Sequence, residues 1–235
     1  KRHGGYTAPV ILFENDSLIA VNKTRYIRVQ AGRSGGSSLE EETAALLAAR
    51  QAVSGAAAER KPFLGLVHRI DQPVTGVVVF AKTPRALARL NAAFQQREVT
   101  KIYWAVVDTP PPAEEGCLEH YLTFDLKQNK ARVFSKPLKG GKKAQLRYRL
   151  VGKSERYVFL EIRLLSGRPH QIRAQLAAAG CHIKGDLKYG AARSNPGGGI
   201  HLHARHLAFH DPETGQLIEI NSPPPEDTLW ALFPG

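Results

Sequence analysis

The apolar run Val77 to Phe80 is entered straight from the turn His68-Arg69-Ile70-Asp71-Gln72-Pro73-Val74-Thr75-Gly76, which sets a carboxylate beside a cation. The run reads as a buried strand, because unbroken apolar residues bounded by turn residues leave no polar face for water. Removing a charged pair from water at the mouth of such a strand is costly, so the turn is a candidate site and not merely a connection. A chain of 235 residues with 43% hydrophobic composition suffices for one large domain or two small ones. One compact domain over residues 1–235 is the simpler reading.

Lys and Arg total 33 against 21 Asp and Glu, a formal net charge of +12. This balance favours a polyanionic partner such as nucleic acid, although solubility alone also accounts for a basic chain. No apolar stretch approaches the roughly 18–20 residues needed to cross a bilayer, so no membrane partner is expected. Cys117 and Cys181 make neither a disulfide framework nor a CxxC pair. Buried thiols in a reducing compartment, the cytoplasm, are the expectation. Methionine is absent even at the first position, so the natural start is expected to lie elsewhere.

Val10 to Phe13, Leu18 to Asn22 and Tyr26 to Gln30 read as short strands around the Asn15-Asp16-Ser17 turn. Ser38 with Glu41 spells a capping box, and a helix follows to about Val53, stopping before Gly55. A strand over Gly76 to Lys82 leads to Thr83 and Pro84, an N-cap and first-turn proline for a helix carrying Leu87, Leu90 and Phe94 on one face. Lys101 to Val107 alternates, with Ile102, Trp104 and Val106 on one side and Lys101, Tyr103 and Ala105 on the other. One side is expected in the core and the other facing a site or solvent. Lys127 to Lys143 reads as a mobile basic hairpin around a strand at Ala131 to Ser135. Ala144 to Leu150, Tyr157 to Leu165, Ile200 to Phe209 and Gln216 to Ile220 are further strands. Between them lies a helix with Ile172 and Leu176 inward, ended by Gly180.

Asp71, flanked by Arg69 and walled by Ile70 and Val77, can serve as a nucleophile or base without a metal. It can equally be an Asp that caps its own turn. His170, Arg173 and Ala177 share a helix face opposite Ile172 and Leu176, so Arg173 can reach a carboxylate, or that face is a solvated basic one. Arg168 lies near the same helix N-terminus, where an anion is favoured. Tyr103 is a stacking platform for a base or an ordinary sheet tyrosine. His201, His203 and Arg205 share a strand face, but no partner Cys or carboxylate motif supports a metal site. Gly197-Gly198-Gly199 lacks the Lys-Ser or Lys-Thr of a phosphate loop.

In chain order, His68-Arg69-Ile70-Asp71-Gln72-Pro73-Val74-Thr75-Gly76, Lys101-Ile102-Tyr103, Gly167-Arg168-Pro169-His170-Gln171-Ile172-Arg173 and Gly185-Asp186-Leu187-Lys188-Tyr189-Gly190 resemble motifs of the RluA-type pseudouridine synthases. Leu18 to Lys23 is similar to the family's early strand. Val74-Thr75 stand where Thr-Ser is usual, Gln175 replaces a frequent His, and Thr24 replaces a Pro.

The resemblance implies an α+β fold: an extended, mostly antiparallel mixed β-sheet with flanking helices and a central catalytic cleft. Many members carry a small N-terminal RNA-binding domain; here the catalytic pattern begins almost at once, so none is expected within residues 1–235. It implies isomerisation of uridine to pseudouridine in structured RNA, ribosomal or transfer, with no cofactor and no metal. By the same resemblance Asp71 is the catalytic carboxylate, acting as nucleophile at C1′ or base at C2′. Arg173 pairs with it, and Tyr103 stacks on the uracil. Arg69 fills the place of the extruded nucleotide, and His68, Arg168 and His170 join it in contacting RNA. A monomer is expected. Two rival readings are an RNA-binding protein on this fold without catalysis and a carboxylate-dependent hydrolase, which requires a second acid not evident here.

Overall fold

The computed structural model describes residues 8–24, 26–32, 37–53 and 62–233. The chain opens with the hairpin β1 (Val10–Glu14) and β2 (Leu18–Lys23), followed by α1 (Leu39–Val53). The capping box forms as the spacing predicts: Ser38 N–H donates to Glu41 Oε2 at 2.9 Å and Glu41 N–H to Ser38 Oγ at 3.3 Å. Gly55, the expected stop, lies outside the described residues. Then come β3 (Gly65–Leu66), β4 (Thr75–Ala81) and α2 (Pro84–Gln96), whose N-cap Thr83 accepts from Ala86 N–H. β5 (Thr100–Val107), β6 (Glu115–Asp125), β7 (Lys130–Phe134), β8 (Lys142–Lys153) and β9 (Val158–Leu164) lead to α3 (Gln171–Ala178). β10 (Leu202–His210) and β11 (Leu217–Asn221) close the order.

These strands make one eleven-stranded sheet in the order β1-β2-β4-β10-β5-β9-β8-β6-β7, with β11 on β10 and β3 on β4. The architecture is α+β. Among the described residues every strand pairing is antiparallel except β4 with β10, which meet in parallel at Thr75 and Gly76 against His203 and Ala204. All seven residues of β4 are buried, so the apolar run is indeed a strand hidden on both faces. Gly76 is required at the crossing: its φ is 121°, and a Cβ there would lie 2.3 Å from the Ala204 carbonyl oxygen.

Three expectations change. Tyr26 to Gln30 is not a strand; Tyr26 sits at φ 68°, which breaks an extended path, and only Arg28 bridges, to Ser38. β5 has no open face along its second half. Tyr103, Ala105 and Val107 join the main core, while Trp104 and Val106 pack in a second core with Phe159, Trp230 and Phe233. On α3 the structure decides between the two readings: Gln171 to Leu176 are all buried, so the face that carries Arg173 is not a solvated one. Its polar groups are met from inside: Gln171 Nε2 donates to Gln145 O at 3.0 Å, and Gln175 Nε2 to Leu118 O at 3.1 Å. Cys181 is buried as expected, but Cys117 is exposed on β6. Among the described residues no helix is long and apolar enough to cross a membrane.

Candidate active site

Asp71 occupies a tight turn closed by Val74 N–H donating to the Asp71 carbonyl at 3.0 Å. Two outside groups pin that turn. Lys23, wholly buried at the end of β2, donates from Nζ to Gln72 O at 2.9 Å and to Val74 O at 2.5 Å. On the other flank Ile200 N–H donates to Pro73 O at 3.2 Å. Burial pushes the Lys23 ammonium down to about 7, against the pull of the Asp71 charge.

The Asp71 side chain is directed at α3 and not at the amides of its own turn. Its Oδ2 accepts from Arg173 Nη1 at 3.0 Å, across 102 residues of sequence. Arg173 is held from behind, where Nε and Nη2 reach the two carboxylate oxygens of Asp186 at 2.7 and 2.8 Å. Such a fork matches the planar guanidinium to the carboxylate and fixes its orientation. Burial works against the charge on Arg173, but Asp186 and Asp71 together outweigh it and hold its pKa above the usual range. The Tyr189 ring lies under the guanidinium at 4.9 Å.

His170 enters α3 at φ 54° and lies beside the pair, with Nε2 3.8 Å from Asp71 Oδ2. Tyr189 Oη accepts from Ala131 N–H at 2.8 Å and lies 2.9 Å from His170 Nδ1. With the phenol donating to Nδ1, this network assigns the proton of the neutral ring to Nε2, on the side of Asp71. Burial lowers the His170 pKa, which keeps that ring uncharged more readily.

Tyr103 lies on the cleft side of β5, 9% exposed. Burial and then the nearby Asp71 charge raise its phenol well above the usual range, so it stays protonated. Arg69 is exposed on the rim. Arg168 donates from Nε to Lys143 O at 3.2 Å. His68 is turned inward: its Nε2 accepts from Val79 N–H at 3.1 Å, and its ring stacks on Phe94 at 5.0 Å. Burial lowers His68 to about 3, so the ring is neutral.

All seven residues singled out in the sequence, His68, Arg69, Asp71, Tyr103, Arg168, His170 and Arg173, line one cavity of about 1190 Å³. That exceeds the roughly 300–1,000 Å³ of most small-molecule sites and suits a segment of polymer. Asp186 and Tyr189 stand in the Gly185 to Gly190 motif, and Lys23 ends the early strand, with nothing in the sequence to show what each of them holds. The His201 and His203 pair is committed elsewhere. His203 Nδ1 lies 2.8 Å from Thr75 Oγ1 and Nε2 3.0 Å from Ser222 O, while His201 Nε2 faces Asp227 at 3.3 Å.

Residues 17–178 match the family model for RNA pseudouridylate synthase. The chain is 31% identical over 232 residues to the ribosomal large subunit pseudouridine synthase D of Vibrio cholerae, covering 93% of this chain and 68% of the relative. It is 30% identical over 219 residues to an uncharacterized RNA pseudouridine synthase of Bacillus subtilis, covering 92% and 69%. Its fold is similar to that of human RNA pseudouridylate synthase domain containing 4, with TM-score 0.76, 21% identity and coverage of 95% and 91%. The chain therefore belongs to the RNA pseudouridylate synthase family, in its RluA branch, and is an isomerase of uridine in RNA.

Proposed function

We propose that Asp71 is the carboxylate that performs this isomerisation on uridines of structured RNA, ribosomal or transfer, in a monomeric protein without cofactor or metal. The reaction breaks the bond from C1′ to N1 and forms one from C1′ to C5. The proton on C5 is lost and N1 gains one, so no oxidant, reductant or net water is consumed. An ionised carboxylate beside C1′ can displace N1 directly, or take the C2′ proton, and either route needs Asp71 anionic. The single observation that carries this reading is the 3.0 Å contact from Arg173, itself locked by Asp186. An adjacent cation holds a carboxylate ionised and aims it without a metal.

Tyr103, two residues into the cleft from Lys101, offers a ring for the uracil to stack on. A base within a helix cannot reach a carboxylate in a pocket, so the nucleotide must leave its stack at a cost of a few kcal/mol. Arg69, exposed above Asp71, fills the vacated place. The net charge of +12 supplies phosphate attraction that positions RNA without reading its sequence.

Asp71→Asn tests the reading. Pseudouridine formation in ribosomal RNA from cells lacking the protein is expected to vanish while RNA affinity survives. Turnover of the Asn variant at the wild-type rate would remove Asp71 from the reaction.

A further inference from the structure

At the α2 end of the cleft two positions hold residue types that the fold itself does not call for. Arg97 caps α2 at φ 64°, in the left-handed region where glycine or asparagine is the less strained choice. Its side chain nevertheless lines the cleft. Gly167 is the converse. Its backbone lies outside the left-handed region, and a Cβ there would meet Lys101 Nζ alone, at 3.9 Å. Nothing within the fold demands a glycine at that point.

Between these two stands Lys101, half-buried at the start of β5 with its ammonium 5.8 Å above the Phe94 ring. Among the described residues no carboxylate pairs with Lys101 or with Arg97, whereas nearby Lys143 is paired with Glu119 at 2.7 Å. Burial and the charge of Arg97 both lower the Lys101 pKa, so these two cations repel each other in a partly desolvated corner. Arg168, following Gly167, adds a third positive side chain to the lining of the same cavity. Like charges held together without an acid are destabilising, and a bound anion relieves them.

We propose that Arg97, Lys101 and the Gly167-Arg168 turn form a seat for one phosphate of the RNA backbone, at a linkage adjoining the uridine held by Asp71. The seat rests on the reading of Asp71 and Tyr103 as the uridine site. Lys101 and Tyr103 share a face of β5 two residues apart, about 7 Å along the strand, which suits a base and a neighbouring phosphate. The bare backbone of Gly167 lets the phosphate approach. The seat thus fixes the direction in which the strand crosses the cleft, independently of the bases.

A synthetic stem-loop RNA with uridines in its loop tests this, with a single uncharged methylphosphonate linkage moved through the loop. Lys101→Gln is expected to weaken binding about tenfold, to lower the slope of log affinity against log salt by about 1, and to act on KM more than on kcat. One methylphosphonate position should weaken wild-type binding by a similar factor, and that loss should disappear in Lys101→Gln because the two changes remove the same contact. Gly167→Ala should melt with the wild type yet bind the RNA less well. Losses that add at every linkage, or a Gly167→Ala protein that binds as tightly as wild type, would overturn the seat. These arms need binding alone. Failure of the uridine-site reading shows separately, as undiminished turnover by Asp71→Asn.

Discussion

Asp186 grips Arg173 through both carboxylate oxygens, at 2.7 and 2.8 Å, and leaves only Nη1 to reach Asp71. The ion triad is therefore asymmetric. Asp186 is 2% exposed and structural, whereas Asp71 keeps 24% of its side chain open to the cleft. One acid orients the cation, and the other is oriented by it.

Asp186→Asn should consequently hurt twice. Loss of one partner of a buried pair costs about 3 kcal/mol, and the freed guanidinium no longer aims Asp71. Chemical denaturation and single-turnover assays should both fall. A variant with unaltered stability but reduced turnover would mean that Asp186 is not what anchors Arg173.

Tyr103→Phe should separate two duties of one side chain. Stacking belongs to the ring, so RNA affinity should hold, while turnover drops if the protonated phenol assists the movement of the C5 proton. Equal kinetics for the two proteins would confine Tyr103 to stacking.

Lys23→Met should loosen the Asp71 turn from beneath. The carbonyls of Thr24, Gln72 and Val74 lose their donor, at a cost of at least about 2 kcal/mol. In the wild type the sign of the pH effect follows from its depressed pKa. Between about 7 and 10.5 the unfolded chain holds a proton that the folded one has shed, so the Lys23 contribution to stability improves as pH rises through that window. Denaturation midpoints at pH 7 and 9 compare this slope with that of the Met variant, which should lack it.

His203 gives the opposite end of the range. Burial lowers it to about 4 from 6.5, so on acidification the unfolded chain takes up a proton first and stability is lost as pH falls from 6.5 towards 4. The contribution is on the order of 3 kcal/mol. His68, lowered to about 3, acts with the same sign. His203→Asn should flatten part of the acid limb in urea titrations; an unchanged limb would show that His203 is charged in the folded state.

Gly76→Ala forces a Cβ against the Ala204 backbone at 2.3 Å and should cost about 3 kcal/mol. Soluble, fully active Ala protein would contradict the close crossing of β4 and β10.

The link between Asp71 and Arg173 was legible in the sequence because each sits in a motif whose order along the chain is specific. Asp186 was not, since an Asp between Gly185 and Leu187 reads as any turn carboxylate until its long-range partner is seen. Lys23 ends a strand, and a strand-end lysine is ordinarily solvated; only the packing of the Asp71 turn over it makes it a buried donor. α2 and the capping box of α1 could be read directly because caps are local. α3 was legible as a helix with Ile172 and Leu176 inward and Arg173 within reach of a carboxylate, but helical spacing does not announce that the neighbouring strands satisfy Gln171 and Gln175. β6 was missed as its exposed Glu115, Cys117 and Glu119 thin the apolar alternation.

The two-residue parallel seam at Thr75 and Gly76 against His203 and Ala204 joins stretches 128 positions apart. Pairings between stretches so far apart in sequence form more slowly than local ones. Until β10 is docked against β4, the Ile200 amide just ahead of it has no fixed place from which to hold Pro73 O, and the Asp71 turn rests on Lys23 alone.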